Sequence, residues 1–326
     1  MRAFFTVILI AIVVAAGWLA YGLLLPANPG GQRFIMLRPG SSSRHIASEL
    51  KTAGIIRSYY AFLALHAAKM RSLKAGEYRF DHPANAMEVY RRLARGDIYF
   101  HTVVIPEGYN IYDIAQAMEA AGLGTKESFL EAERADRTLV ADIDPDAPSL
   151  EGYLFPDTYE FTRTQSNSDM LAAMVRRFRQ ETHALGLTSD YHRIVTMASI
   201  VEKETAVAEE RPLVASVFYN RLEQNIVLAT DPAVIYAALL AGRYNGVIHQ
   251  SDLQFDSPYN TYRRAGLPPG PICNPGAQAL AAAMHPAKTD YLYFVSDNNG
   301  HHRFSRTMEE HQRNVAAYRR ALAEQR

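Results

Sequence analysis

The sequence predicts an α+β protein in which one N-terminal apolar helix precedes two compact α+β units. Three observations predict it. The run from Ala3 to Leu25 carries no charged residue, a strand, turn and helix pattern near residue 40 recurs near residue 108, and after Pro145 the chain turns to aromatic-rich loops. With 326 residues, 48% of them hydrophobic and 21% charged, the chain can bury a real core and is not a disordered protein. The 34 basic and 34 acidic residues cancel and no basic run stands out, so a nucleic-acid partner is not expected. Cys273 is the only cysteine, which excludes an internal disulfide and a cysteine-based metal cluster.

At a rise of about 1.5 Å per residue, Ala3 to Leu25 reaches across a hydrocarbon core roughly 30 Å thick. Arg2 and the amino terminus precede the run, which predicts a cytoplasmic N-terminus and an extracytoplasmic chain after Pro26. A cleaved signal peptide is the rival reading, with small residues at Val14-Ala15-Ala16. The apolar run continues past Ala16, and Trp18 and Tyr21 suit a membrane interface, so residues 1–25 read as a single transmembrane anchor. Pro26 to Gly31, PANPGG, is turn-rich and makes 26–32 a linker.

Residues 33–145 read as a module with an internal duplication. Ile35 to Leu37 is a strand, Pro39-Gly40 a turn, and Ser43 to Ala53 a helix with Ile46, Ala47 and Leu50 inward. In the second copy Gly108 pairs with Gly40, Ile114-Ala115 with Ile46-Ala47, Met118 with Leu50, and Ala121-Gly122 with Ala53-Gly54. Two copies make a duplicated unit, not a solenoid. Between them Tyr78 to Phe80 alternates like a strand, and Asn85 with Glu88 opens a helix that Gly96 closes.

Residues 146–326 hold the candidate chemistry. Tyr191 to Thr205 reads as a helix capped by Ser189 or Asp190, with Ile194, Met197, Ala198 and Val201 forming a core stripe. Glu202 and Glu204 fall on the two flanks of that stripe, where desolvation would raise a carboxyl toward the range of a general acid. A wet, frayed helix end is the alternative. Glu151 to Phe161, EGYLFPDTYEF, alternates aromatics and carboxylates in a way that suits either sugar binding or a buried corner, and Glu151 is a possible second carboxyl. Leu213 to Leu222 continues as a helix with Tyr219 and Asn220 near its edge. Asp231-Pro232 and Asn274-Pro275 each read as a capping side chain followed by Pro at the first helical position. Between these starts, prolines stiffen a loop carrying Tyr259, Asn260 and Tyr262, a cleft wall or a packed surface loop. Tyr291 to Val295 reads as a buried strand, and Asp297 to Gly300 turns the chain back. His301, His302 and His311 lack any ligand spacing, so no metal site is expected. No cofactor is expected either. A charged helix follows from Met308.

The segments ASIVEKET, ERPLVASVFYNRL, TDPAVIYA, SPYNTY and GLPPGPICNPG, in this order, resemble the YceG-like (MltG) family of membrane-anchored endolytic murein transglycosylases, over nearly the whole chain. The resemblance implies that the catalytic glutamate is the first of the E-K-E, Glu202; Glu151, Tyr219, Asn220, Asp231, Tyr259, Asn260 and Tyr262, read above from their own positions, are the candidate substrate-binding residues beside it. It implies a LysM-like, glycan-gripping module at 33–145, a plain α+β spacer being the other reading, and a catalytic domain at 146–326. It implies cleavage of the MurNAc–GlcNAc bond without water, the muramic acid's C6 hydroxyl attacking C1 to leave a 1,6-anhydro end. One carboxyl group then does work for which ordinary glycosidases need two. The setting implied is a bacterial inner membrane, with glycan strands as substrate and peptidoglycan synthases as partners. Ala229, Ala233 and His249-Gln250 depart from the family's usual residues, which puts subsite preferences in doubt. A water-using muramidase and a non-catalytic glycan-binding scaffold are the alternatives.

Overall fold

The computed structural model describes residues 1–324, and the last two positions of the expected 146–326 domain lie outside the described residues. The chain forms two compact units, the first of residues 1–102 and 160–165, the second of residues 103–159 and 166 onward. The elements are α+β, as expected.

Unit 1 opens with α1 (Arg2–Leu24), apolar and long enough to cross a bilayer. Its last turn is not free. Gly22 lies against α3 (Tyr59–Lys69), where a Cβ would stand 2.8 Å from Ala61 Cβ and 2.9 Å from Ser58 Cβ. Only glycine allows that approach. Leu23 packs on the unit's core, and Arg57 donates to Tyr21 Oη at 3.1 Å. Strands β1 (Arg33–Leu37) and β2 (Gly76–Phe80) pair antiparallel with Ile35 opposite Tyr78. Helices α2 (Ser43–Thr52), α3 and α4 (Ala86–Arg95) enclose Ile46, Leu50, Phe62, Tyr78, Phe80 and Leu93. Each such side chain contributes about 1.5–3 kcal/mol on burial. The stretch expected to be a linker is bound to the unit: Ala27 bridges Ala84, and Arg57 Nε donates to Pro26 O at 2.9 Å. Asn85 accepts from Glu88 N–H at 2.9 Å and Gly96 closes α4 at φ 83°, as the sequence predicts.

The two stretches read as copies have matching glycine conformations. Gly40 and Gly108 have φ of 80° and 79°, Gly54 and Gly122 of 73° and 72°, and Ile114, Ala115 and Met118 are buried like Ile46, Ala47 and Leu50. The first copy belongs to unit 1, whereas the turn and helix of the second, α5 (Ile111–Ala120), belong to unit 2. Strands β3 (His101–Val104) and β4 (Thr158–Phe161) form a two-stranded sheet, and the chain passes between the units within each.

Unit 2 continues with α6 (Lys126–Ala135), α7 (Asn167–Ala184), α8 (Tyr191–Glu204), α9 (Arg211–Glu223), α10 (Asp231–Leu240) and α11 (Ala277–Met284). It ends with the hairpin β5 (Tyr293–Ser296) and β6 (His302–Ser305), then α12 (Met308–Glu324). Helix α8 is the centre of this unit. The sequence predicts one apolar stripe, but every residue from Val195 to Val201 is buried, because α9, α10 and α11 all pack on α8. Thr196 and Ser199, which broke the stripe pattern, lie inside, with Ser199 Oγ donating to Thr196 O at 2.8 Å.

Three local expectations are corrected. Helix α10 is capped by Thr230, whose hydroxyl accepts from Ala233 N–H, so Asp231 is its first helical residue instead of its cap. Helix α11 starts after Gly276, and Asn274 turns its side chain into the core. The residues of β5 are half-buried, not fully buried, although α9 and α12 both contact the strand.

Candidate active site

Glu202 and Glu204 end α8 two residues apart, about 200° around the helix. They therefore face different surroundings within unit 2.

Glu202 faces a polar lock. Arg211 Nη2 lies 3.0 Å from its Oε1, and Gly276 N–H donates to its Oε2 at 3.1 Å. The side chains of Glu202 and Arg211 are 6% and 7% exposed. Arg211 also donates to Gln278 Oε1 at 3.1 Å and lies 3.6 Å from Glu107 Oε2. Glu107 belongs to the Pro-Glu-Gly turn of the second repeat copy, which Lys203 Nζ holds through Gly108 O at 3.2 Å. Gly276 has no side chain because Glu107 occupies the space: a Cβ there would fall 1.9 Å from Glu107 Oε1. Burial raises the Glu202 carboxyl above its ordinary value, while the Gly276 N–H and the Arg211 charge pull it down. Both of its oxygens are held by donors.

Glu204 faces a cleft of about 340 Å³, lined also by Arg221, Asp231, Tyr262, Tyr293 and His311. Its carboxyl is pushed up to about 7, by desolvation first and by the Asp231 charge second, against the Thr230 hydroxyl and Arg221. The walls are rigid. Arg221 donates to Leu292 O at 2.6 Å and Leu228 O at 2.7 Å, with its guanidinium 5.2 Å from the Tyr293 ring centre. His311 stacks on the other side of the hairpin residue, 5.2 Å from the Tyr293 centroid. Tyr262 Oη donates to Asp231 Oδ1 at 2.6 Å, and burial beside that carboxylate raises the phenol. Ala229, at the rim, holds a left-handed φ of 51°.

Of the residues picked out from the sequence, Asp231 and Tyr262 are brought together with Glu204. Glu151 is elsewhere and fully buried: it accepts from Ile111 N–H and Tyr236 Oη at 3.0 Å each and from Asn274 Nδ2 at 2.8 Å. Burial pushes it up to about 8, as a neutral core acid. Tyr259 stacks edge-on to Tyr236 at 5.1 Å. Asn260 is a pin, its amide donating to Leu253 O at 3.0 Å and Phe255 O at 2.7 Å, so it stiffens the loop that presents Tyr262. Tyr219 Oη donates to Ala283 O and Asn220 Nδ2 to Thr289 O and Tyr291 O, each at 2.9 Å, and both line a separate groove. Sequence reasoning missed Arg221, Arg211 and Glu107. The signal for Glu107 was the repeat turn, where the first copy has Arg38-Pro39-Gly40 and the second Pro106-Glu107-Gly108. Among the described residues no group of three or more His, Cys, Asp or Glu could hold a metal ion.

A desolvated carboxyl beside an aromatic-walled cleft on a largely helical core is the kind of setting in which a proton-transfer site is sought. Residues 35–317 match the model of the YceG-like family, and the chain belongs to that family. It is 33% identical over 332 residues to the endolytic murein transglycosylase of Bacillus subtilis (strain 168), covering 94% of this chain and 91% of that one. It is 31% identical over 355 residues to that of Streptococcus pneumoniae serotype 2 (strain D39), covering 95% of this chain and 64% of the relative. The crystal structure of a yceG-like protein from Listeria monocytogenes superposes with a TM-score of 0.56 at 33% identity, covering 86% of this chain and 98% of that one.

Proposed function

We propose that this chain is an endolytic peptidoglycan lytic transglycosylase that cleaves the MurNAc–GlcNAc β-1,4 bond and leaves 1,6-anhydro ends. The names of its relatives support the reaction class, and the Glu204 cleft carries the chemistry. The resemblance puts the acid on Glu202. The geometry favours Glu204 for that role, because Glu202 is locked between Arg211 and Gly276 N–H whereas Glu204 meets a cleft with its carboxyl near 7. In the protonated form Glu204 gives its proton to the glycosidic oxygen as the bond breaks. The carboxylate so formed then takes the proton of the muramic acid's C6 hydroxyl as that oxygen attacks C1, which restores the acid. Tyr262 offers a ring for a sugar face, and the Asp231 charge keeps Glu204 protonated near neutral pH.

Helix α1 serves as a single-pass anchor with a cytoplasmic N-terminus and the rest of the chain extracytoplasmic, consistent with its length and with Arg2 before it. The strand–turn–helix copies act as a LysM-like module, supported by their matched glycine geometry. Held at the membrane, the enzyme cuts strands internally as synthases extend them and so sets strand length.

Mass spectrometry of products from uncrosslinked strands tests the reading: anhydro-ended fragments of many disaccharides are expected early, and none from a folded Glu204→Gln protein. Reducing ends would move the reaction to a water-using muramidase, a reading that Asp231 favours as a second carboxylate in the same cleft. Full activity in Glu204→Gln with loss in a folded Glu202→Gln protein would return the acid to Glu202.

A further inference from the structure

Unit 1 carries a second cavity, a groove of about 390 Å³ between α3 and α4, whose chemistry differs from that of the cleft. Its rim bears Lys69, Arg71, Arg91 and Arg95, and no carboxylate lines it. Arg95 is engaged by Asp97 at 2.8 Å, but among the described residues Lys69, Arg71 and Arg91 have no acidic partner within ion-pair distance. The floor is apolar and fixed. Leu65 and Tyr90 are buried, and Tyr90 Oη accepts from Arg71 N–H at 3.2 Å. Between two of the cations stands Met70, 85% exposed and held at φ 52° by the left-handed end of α3. A large apolar side chain with a cation on each side, next to a basic groove with an apolar floor, matches a ligand with an anionic head and a hydrocarbon tail.

We propose that this groove binds the phosphodiester headgroup of an anionic phospholipid in the membrane that α1 enters. The inference rests on the reading of α1 as a span. Given that reading, position supplies the occupant. The last turn of α1 packs on α3 and α4, the helices that wall the groove, through Gly22 and Leu23, and Arg57 holds Tyr21. Unit 1 therefore stands on the end of the span without slack, with Gly22 against Ala61 near the start of α3 and Lys69 of the basic rim at the end of the same helix, roughly 12 Å along it. Lys69, Arg71 and Arg91 hold the phosphate oxygens, while Met70 enters the acyl boundary.

The test uses the full chain in a neutral detergent, with native mass spectrometry after addition of phosphatidylglycerol or phosphatidylcholine. Wild type is expected to retain phosphatidylglycerol in preference, less so at high salt. A cation near a lipid surface is worth about five-fold in binding, so the combined Lys69→Ala, Arg71→Ala and Arg91→Ala variant should retain it on the order of 100-fold less. The control, Arg38→Ala with Arg44→Ala and Lys51→Ala, removes as many exposed charges from the same unit and should retain lipid like wild type. Equal retention of the two lipids, equal retention by the groove variant, or displacement of the lipid by millimolar inorganic phosphate overturns the proposal. If the triple variant does not fold, Lys69→Ala and Met70→Ser, both at exposed positions, decide the same question. Membrane fractionation of the wild-type chain tests the span separately, so failure of the anchor and failure of the groove give different results.

Discussion

Glu202 and Glu204 share a helix, a residue type and a buried setting, yet they meet neighbours of opposite charge. The first meets a guanidinium and a backbone donor, and burial there demands a pair. The second meets a like charge across an open cleft, and burial there favours the neutral acid. Desolvation is the leading upward influence on both. If Glu204 is the acid, the sign of the next charge, Arg211 or Asp231, is what separates the two.

Each of four measurements would break or sharpen that contrast. The largest effect expected is on rate: Glu204→Gln should lower turnover on glycan strands by at least roughly 10²–10⁴, the worth of general acid–base help alone. A folded Glu204→Gln enzyme within ten-fold of wild type would end the assignment. Next, Arg211→Met leaves Glu202 as an unpaired buried carboxylate and should cost about 3–5 kcal/mol in urea unfolding, with the Glu204 cleft otherwise intact. A loss below about 1 kcal/mol would mean that the lock is not structural.

The third effect depends on pH. The Glu204 carboxyl stands at about 7 in the folded chain against an ordinary 4.5, so the protonated form's stability is fully present below pH 4.5 and is lost as pH rises through 7. Glu204→Gln cannot ionise. It should match wild type in thermal unfolding at pH 4 and exceed it above pH 8, by on the order of 1–3 kcal/mol. The same proton governs catalysis, and kcat/KM should fall as pH rises above 7. A flat difference between the two proteins from pH 4 to 8 would refute the raised carboxyl. The smallest effect concerns Glu107, half exposed and 3.6 Å from Arg211. Glu107→Gln should change stability by less than about 1 kcal/mol, and a larger loss would make the lock a three-residue device.

The sequence made the elements legible where periodicity and capping agree, as in the α2 and α5 repeat helices and the Asn85 and Gly96 ends of α4. The full burial of α8 was not legible, because Thr196 and Ser199 are polar, yet both lie inside; the Thr196 hydroxyl is buried without a hydrogen-bond partner among the described residues, whereas Ser199 satisfies its own locally and through a distant loop. Ser199 Oγ, for example, accepts from Ile272 N–H at 3.0 Å. Both glutamates were visible as carboxyls on the flanks of a core helix. Their different surroundings were not, since these depend on Arg211 and Asp231, whose contacts are made by folding and not by helical spacing. Asn220 was read near the edge of a helix and Asn260 on a stiff loop, and spacing could not show that their amides donate to loop carbonyls.

Asn274 uses all four hydrogen-bonding positions of its amide. Its oxygen accepts from Gly152 and Leu154 N–H at 2.9 Å each, and its nitrogen donates to Tyr109 O at 3.0 Å and Glu151 at 2.8 Å. Deamidation would turn those two donors into an acceptor facing a carbonyl and a buried acid. The usual route to that damage is attack by the next residue's backbone N–H on the side-chain amide. The next residue is Pro275, which has none. The same dipeptide that misleads as a helix start thus protects this joint of the core against chemical ageing.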